Sequence, residues 1–206
     1  MNKKSLMIGI LSFFFFIILF LIKTDSIANF DISIYNFLAT NMNDGLTNIF
    51  RSITFLGSGA SIAGICIIAL IITFHLKKRK IGLVIAACVT FNSLFSEGLK
   101  IIIQRPRPEI IQLATESSFS FPSSHTLASV SLCGILLYFV LKWEGDKSLK
   151  IISSTMLVLL PILIGISRIY LGVHNASDVL GGAILAMILL LIEISIIEKN
   201  GYFWYN

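Results

Sequence analysis

Six long apolar runs leave this chain few folds to choose from. A helix that crosses a bilayer needs about 20 mostly apolar residues. The runs Leu6–Ile22, Ser58–Leu76, Ile81–Ile103, Thr126–Leu141, Ile151–Ile169 and Val179–Ile197 approach or reach that length, all within 206 residues. No single soluble core could absorb them. Of the residues, 56% are hydrophobic and only 13% charged, where a soluble domain carries about 25% charge. The expected fold is all-α, a bundle of six transmembrane helices forming one membrane-embedded domain over residues 1–206, multi-pass in the cell membrane. The first run follows Lys3 and Lys4 and precedes Ser26-Ile27-Ala28, which would pass as a signal-peptide cleavage site. Its apolar stretch is longer than the roughly 7–15 residues of such a peptide, so it reads as a retained helix.

The net charge of +5 does not point to nucleic acid, because the positive residues gather at the ends of the apolar runs, where membrane topology places them. With the N-terminus in the cytoplasm, that side holds Lys3, Lys4, the block Lys77-Lys78-Arg79-Lys80, Lys142, Lys147, Lys150 and Lys199. The other side holds Lys23, Arg51, Lys100, Arg105, Arg107 and Arg168. The excess on the first side predicts cytoplasmic N- and C-termini. Between the first two runs, apolar residues recur at three- and four-residue steps (Ile32, Tyr35, Leu38; then Leu46, Ile49, Phe50, Ile53). That spacing predicts one or two amphipathic helices on the extracytoplasmic surface. Cys66, Cys88 and Cys133 lie inside apolar runs with no paired or ligand-like spacing and read as small buried hydrophobes.

Three clusters have no role in topology, and the predicted arrangement puts all of them on the extracytoplasmic face. In KIIIQRPRP, Lys100 and Arg107 are seven residues apart, and Pro106 and Pro108 stop the helix so that Arg107 sits on a stiff extended segment. In FPSSHTLA, Ser123, Ser124 and His125 open the fourth run. A helix start carries unpaired N–H groups and a partial positive charge, which suits phosphate. In SRIYLGVHNASD, Arg168 closes the fifth run, and His174 and Asp178 are four apart. On a helix those two share a face, the carboxylate accepts from the imidazole, and the second ring nitrogen is free to attack. Cations with a helix start call for an anion of several oxygens. Two histidines, one of them near a carboxylate, suggest a nucleophile and an acid. No cluster of Asp and Glu offers a metal cage, so neither metal nor other cofactor is expected.

Lys100-x6-Arg107-Pro108, Pro122-Ser123-Ser124-His125 and Ser167-Arg168-x5-His174-x3-Asp178 together resemble the three-part signature of the type 2 phosphatidic acid phosphatase family. The resemblance implies that His174 attacks phosphorus, Asp178 orients it, and His125 protonates the leaving oxygen. Lys100, Arg107, Arg168, Ser123 and Ser124 would hold the phosphate. One position departs, since the family usually has glycine where Ser124 stands. The implied activity is a lipid phosphatase acting on a phospholipid or isoprenoid (di)phosphate, with the membrane lipid and the bilayer as partners. A lipid phosphotransferase would use the same residues, and a non-catalytic lipid-phosphate binder would have no need of both histidines. No protein partner can be read. Outside the signature, Arg105 reads as an anchor or head-group contact, Glu97 as a structural partner for Lys100, and His75 as interfacial. Glu193 and Glu198 read as solvated or interfacial, and Trp143, Tyr202, Trp204 and Tyr205 as an aromatic belt.

Overall fold

The computed structural model describes residues 3–199, which form helices and connecting loops with no strand among them. The helices are α1 (Lys3–Lys23), α2 (Ala28–Ala39), α3 (Asp44–Leu56), α4 (Gly59–His75), α5 (Arg79–Ile103), α6 (Ser124–Lys142), α7 (Lys147–Tyr170) and α8 (Ala176–Lys199). Each of the six apolar runs forms one helix, with ends that agree to within a few residues. The side chains of Ser58 and Asp146 accept the Ser61 and Leu149 amides and start α4 and α7, satisfying donors that a helix start leaves open. Helices α1, α5, α6, α7 and α8 are long and apolar enough to cross a membrane. Helix α4 has 17 residues, and α3 with α4, bent by 48° at Gly57 and Ser58, makes a sixth candidate span.

Helix α6 sits at the centre, packed against α4, α5, α7 and α8, while α1 lies along α8. One apolar cluster joins Ile62, Cys66, Ile85, Val89, Leu132, Ile135 and Leu190; a second joins Phe15, Phe121, Leu127, Leu185 and Leu189. All three cysteines are buried and unpaired. The outward faces carry large apolar side chains such as Phe13, Phe16 and Phe20 on α1 and Ile151 and Ile152 on α7. On a membrane protein these meet lipid tails, so helix association rests on close packing rather than on removing apolar surface from water.

Glu193 departs from its interfacial reading. It points into the bundle and accepts from the buried Asn92 amide at 3.3 Å, and Asn92 also donates to Ser131 at 3.1 Å. A carboxylate held in lipid needs such partners. Glu198 pairs with Lys4, which puts the first turn of α1 beside the last turn of α8. Trp143 is exposed, and Tyr202, Trp204 and Tyr205 lie outside the described residues.

The amphipathic stretch forms the two helices α2 and α3, which pack over the end of the bundle where α5 and α7 finish and α6 and α8 begin. Leu38, Met42, Leu46 and Phe50 cover Tyr170, Leu171 and Val173. The Phe50 and Tyr170 rings lie 4.5 Å apart, and the Tyr170 hydroxyl is 3.1 Å from Thr47 Oγ1. Part of the apolar stripe predicted from spacing, Leu38, Leu46 and Phe50, therefore packs on protein, while Ile32 and Ile49 stay exposed.

Candidate active site

The three clusters converge at that end of the bundle. Helix α5 stops at Ile103, and Gln104 takes a left-handed conformation (φ 51°). The following Pro106 and Pro108 keep Arg107 on non-helical backbone, as expected. Ser118 draws the two ends of this first cluster together, its Oγ lying 3.1 Å from Lys100 Nζ and 3.3 Å from Arg107 Nη2. Arg107 is further fixed by donating to the carbonyls of Ser118 (2.8 Å) and Val173 (2.6 Å).

Helix α6 begins at Ser124, so His125 lies in its first turn, with Nδ1 3.9 Å from Glu116 Oε1. Ser123 is the residue before the helix and is fully buried. Its amide donates to the Asp178 carbonyl (3.1 Å), and its hydroxyl oxygen accepts from Thr126 (3.1 Å). The close approach of α8 depends on Gly182, where a Cβ would come within 2.9 Å of the Ser123 carbonyl oxygen. Ser124, where the family usually has glycine, donates its hydroxyl to Glu97 Oε1 at 2.7 Å. Glu97 also pairs with Lys100 at 3.5 Å.

The third cluster differs from its helical reading. Helix α8 starts at Ala176, so His174 sits on the turn before it. Gly172 (φ 72°) makes that turn, and a Cβ there would run into the Ile111 carbonyl. Asp178 lies in the first turn of α8, and its Oδ2 reaches back to the Asn175 amide at 2.8 Å, capping the helix. The same oxygen accepts from Ser120, and Oδ1 accepts from Arg105 at 2.6 Å. His174 Nδ1 faces Asp178 Oδ2 at 3.7 Å, longer than a hydrogen bond, and its Nε2 lies 3.5 Å from Arg107 Nη1. Burial pushes the His174 pKa below the ordinary imidazole value. Asp178 opposes that shift, and Arg168 and Arg107 reinforce it. The surroundings thus favour the neutral ring.

Two residues enter that sequence reasoning did not place. Glu116, on the loop before α6, pairs with Arg168, lies 3.8 Å from Arg107 Nη2 and faces His125. Burial alone would raise its pKa, but Arg168, His125 and Arg107 together hold it below the usual carboxylate range. Asp31, on α2, accepts from the Ser177 amide (2.8 Å), the Ser177 hydroxyl (2.6 Å) and Arg105 (2.8 Å). Arg105 is thus no lipid-facing anchor; it bridges two buried carboxylates, Asp31 and Asp178. The basic and acidic residues in the surrounding loops were visible in the chain, but nothing local says which pairs form.

Lys100, Ser124, His125 and His174 line one cavity of about 290 Å³ together with Glu97, Glu116 and Ser118. Arg168, whose Nη1 donates to Thr54 at 2.9 Å, reaches this group through Glu116, and Arg107 reaches it through His174 and Ser118. Ser123 and Asp178 stand behind the wall. Three cations and two histidines around one cavity can bind a tetrahedral oxyanion, attack it from nitrogen and protonate a departing oxygen.

A family model described as the PAP2 superfamily matches residues 81–202. Phosphatidylglycerophosphatase B of Bacillus subtilis (strain 168) is 31% identical over 191 residues, covering 90% of this chain and 92% of that protein. The crystal structure titled as the first transmembrane PAP2-type phosphatidylglycerolphosphate phosphatase from Bacillus subtilis superposes with a TM-score of 0.88 at 30% identity. It covers 99% of this chain and 100% of that one. Aquifex aeolicus LpxE follows at a TM-score of 0.65 and 26% identity, covering 81% and 95%. With the bundle, the three converging clusters and these matches in agreement, the chain belongs to the PAP2 superfamily, as a multi-pass membrane member of it.

Proposed function

We propose that this chain is an integral-membrane lipid phosphatase that removes a terminal phosphate from a phospholipid or isoprenoid (di)phosphate through a phosphohistidine, at the extracytoplasmic face. The observation that carries the reading is the setting of His174. Its Nδ1 faces Asp178, its Nε2 lies beside Arg107, and it shares a cavity with Lys100 and His125. The proton on Nδ1 then points to the carboxylate, which stabilises the charge that develops as Nε2 attacks phosphorus. A bond forms from Nε2 to phosphorus, the ester or anhydride P–O bond breaks, and His125 gives a proton to the leaving oxygen. Burial and Arg168 push the His125 pKa down to about 3, and the negative charge of the bound phosphate is what raises it to carry that proton. In the second half, His125 takes a proton from water, the hydroxide attacks phosphorus, and the P–N bond breaks to return His174 and release phosphate. Lys100, Arg107 and Arg168 supply positive charge to the transferring oxygens, which is most of what phosphoryl transfer asks of a protein. That charge makes a metal unnecessary in this reading.

The name of the Bacillus subtilis relative makes phosphatidylglycerophosphate the first substrate to try. The test is phosphate release in detergent, with EDTA present, from phosphatidylglycerophosphate, phosphatidate and undecaprenyl diphosphate. Wild type is expected to release phosphate from at least one of them, with His174→Ala and His125→Ala each reducing release by about 100-fold or more. Folded wild type releasing none would overturn the hydrolase reading, and a loss of activity on adding EDTA would overturn its metal-free form.

A further inference from the structure

The mechanism makes no use of Glu97, yet this side chain is held in place and faces the same cavity as both histidines. Its Oε1 accepts from the Ser124 hydroxyl at 2.7 Å and lies 3.5 Å from Lys100 Nζ. The rest of the side chain is open, 54% exposed against 5% for Lys100. Along α5, Leu94, Glu97 and Lys100 follow at three-residue steps, each a rise of about 4.5 Å with a turn of about 60°, and all three line the cavity. Going down the helix from the site, a substrate meets a cation, then a carboxylate, then an exposed leucine. A lipid whose phosphate rests at Lys100 and whose tail lies by Leu94 must bring the atoms next to that phosphate past Glu97.

Resting on the lipid-phosphatase reading above, we infer that Glu97, tethered by Ser124, is a specificity-determining residue that favours a phosphomonoester on a hydroxyl-bearing carbon chain over a diphosphate. A carboxylate only accepts hydrogen bonds, so it suits a hydroxyl donor beside the phosphate. In a diphosphate the neighbouring group is a second phosphate, one bridging oxygen away, and its charge is set against the carboxylate. A like-charge contact at this half-open side chain costs on the order of tenfold in binding. The departure at Ser124 gains a purpose here, because glycine could not hold Glu97 against the start of α6, and a free carboxylate would turn away from an incoming anion.

The experiment measures kcat/KM of the full chain in detergent for short-chain phosphatidylglycerophosphate and for farnesyl diphosphate. Wild type is expected to prefer the monoester. Glu97→Gln should raise the diphosphate-to-monoester ratio by about tenfold or more, chiefly through a lower KM for the diphosphate. Ser124→Ala should raise it by a smaller factor, roughly threefold; it leaves α5 untouched and carries the test alone should Glu97→Gln fail to fold. If Glu97 only balances Lys100, both substrates change in step and the ratio stays fixed, which overturns the inference while leaving the phosphatase reading intact. Wild type acting on neither substrate overturns the inference, and the phosphatase reading falls with it only if phosphatidate is also left intact.

Discussion

Glu116 and a substrate phosphate want the same partners. Arg168, Arg107 and His125 all turn toward this one carboxylate, and its lowered pKa keeps it ionised across the neutral range. A bound phosphate must therefore share or take over contacts that Glu116 holds. Glu116→Gln is expected to lower the inhibition constant of inorganic phosphate by about fivefold to tenfold, because the amide keeps the shape and removes the competing charge; an unchanged or higher constant would mean that Glu116 holds the cations in place for phosphate rather than competing with it. With His174 as the proposed nucleophile, the acid side of the pH profile is expected to follow its ring, which must be neutral to attack, and burial moves its protonation to lower pH. As pH falls, activity should persist past the ordinary imidazole value of about 6.5 before it is lost. A kcat/KM profile whose acid limb is centred at or above that value counts against His174 as the free-enzyme base. Arg105 tests the support behind both: Arg105→Ala leaves Asp31 and Asp178 buried without their shared cation. Breaking such a pair costs about 3–5 kcal/mol, so the variant should show a much lower Tm as well as lost activity, with Arg105→Lys recovering part of each.

At the scale of elements, two short pieces of backbone decide whether the helices make a site. One is the turn at Gly172, which carries the chain from the end of α7 to His174. A side chain there would need a left-handed conformation, costing about 1–2 kcal/mol, and would strike the Ile111 carbonyl. Gly172→Ala should lower Tm by several degrees and reduce kcat more than KM, since His174 moves off its line to phosphorus; retained kcat with unchanged Tm would show that the turn tolerates a side chain. The other is the α2–α3 pair, which supplies Asp31 to Arg105 and Thr54 to Arg168. The helices themselves were legible in the chain, because apolar length and three-and-four periodicity are local signals. The contacts that arm the site were not. Arg105 and Asp31 are 74 residues apart and Ser177 and Asp31 146 apart, so no spacing rule connects them. The helical reading of His174 with Asp178 missed for a related reason: the capping bond from the Asn175 amide to Asp178 starts α8 after the histidine, and cap geometry is decided by tertiary neighbours as much as by propensity.

For the whole molecule, the remaining question is which way the bundle faces. Lys4 on α1 meets Glu198 on α8, so the two ends of the described chain lie together, opposite the end where His125 and His174 share their cavity. Sidedness of one end therefore fixes the other. The charge pattern argues that the termini are cytoplasmic, because Lys77, Lys78, Arg79 and Lys80 fall in and beside the connection between α4 and α5, at the termini's end of the bundle. Four of the six basic residues at the opposite end are drawn inward instead: Lys100, Arg107 and Arg168 join the candidate site, and Arg105 pairs with aspartates. Buried and paired in this way, these four do not weigh against the orientation. The molecule is well suited to a direct measurement, since Cys66, Cys88 and Cys133 are all buried and give little background. Glu109 and Lys78 are exposed at opposite ends. In intact spheroplasts, a membrane-impermeant maleimide should label Glu109→Cys at once and Lys78→Cys only after permeabilisation. The reverse pattern would turn the active site to the cytoplasm and require that substrates reach it from the inner leaflet.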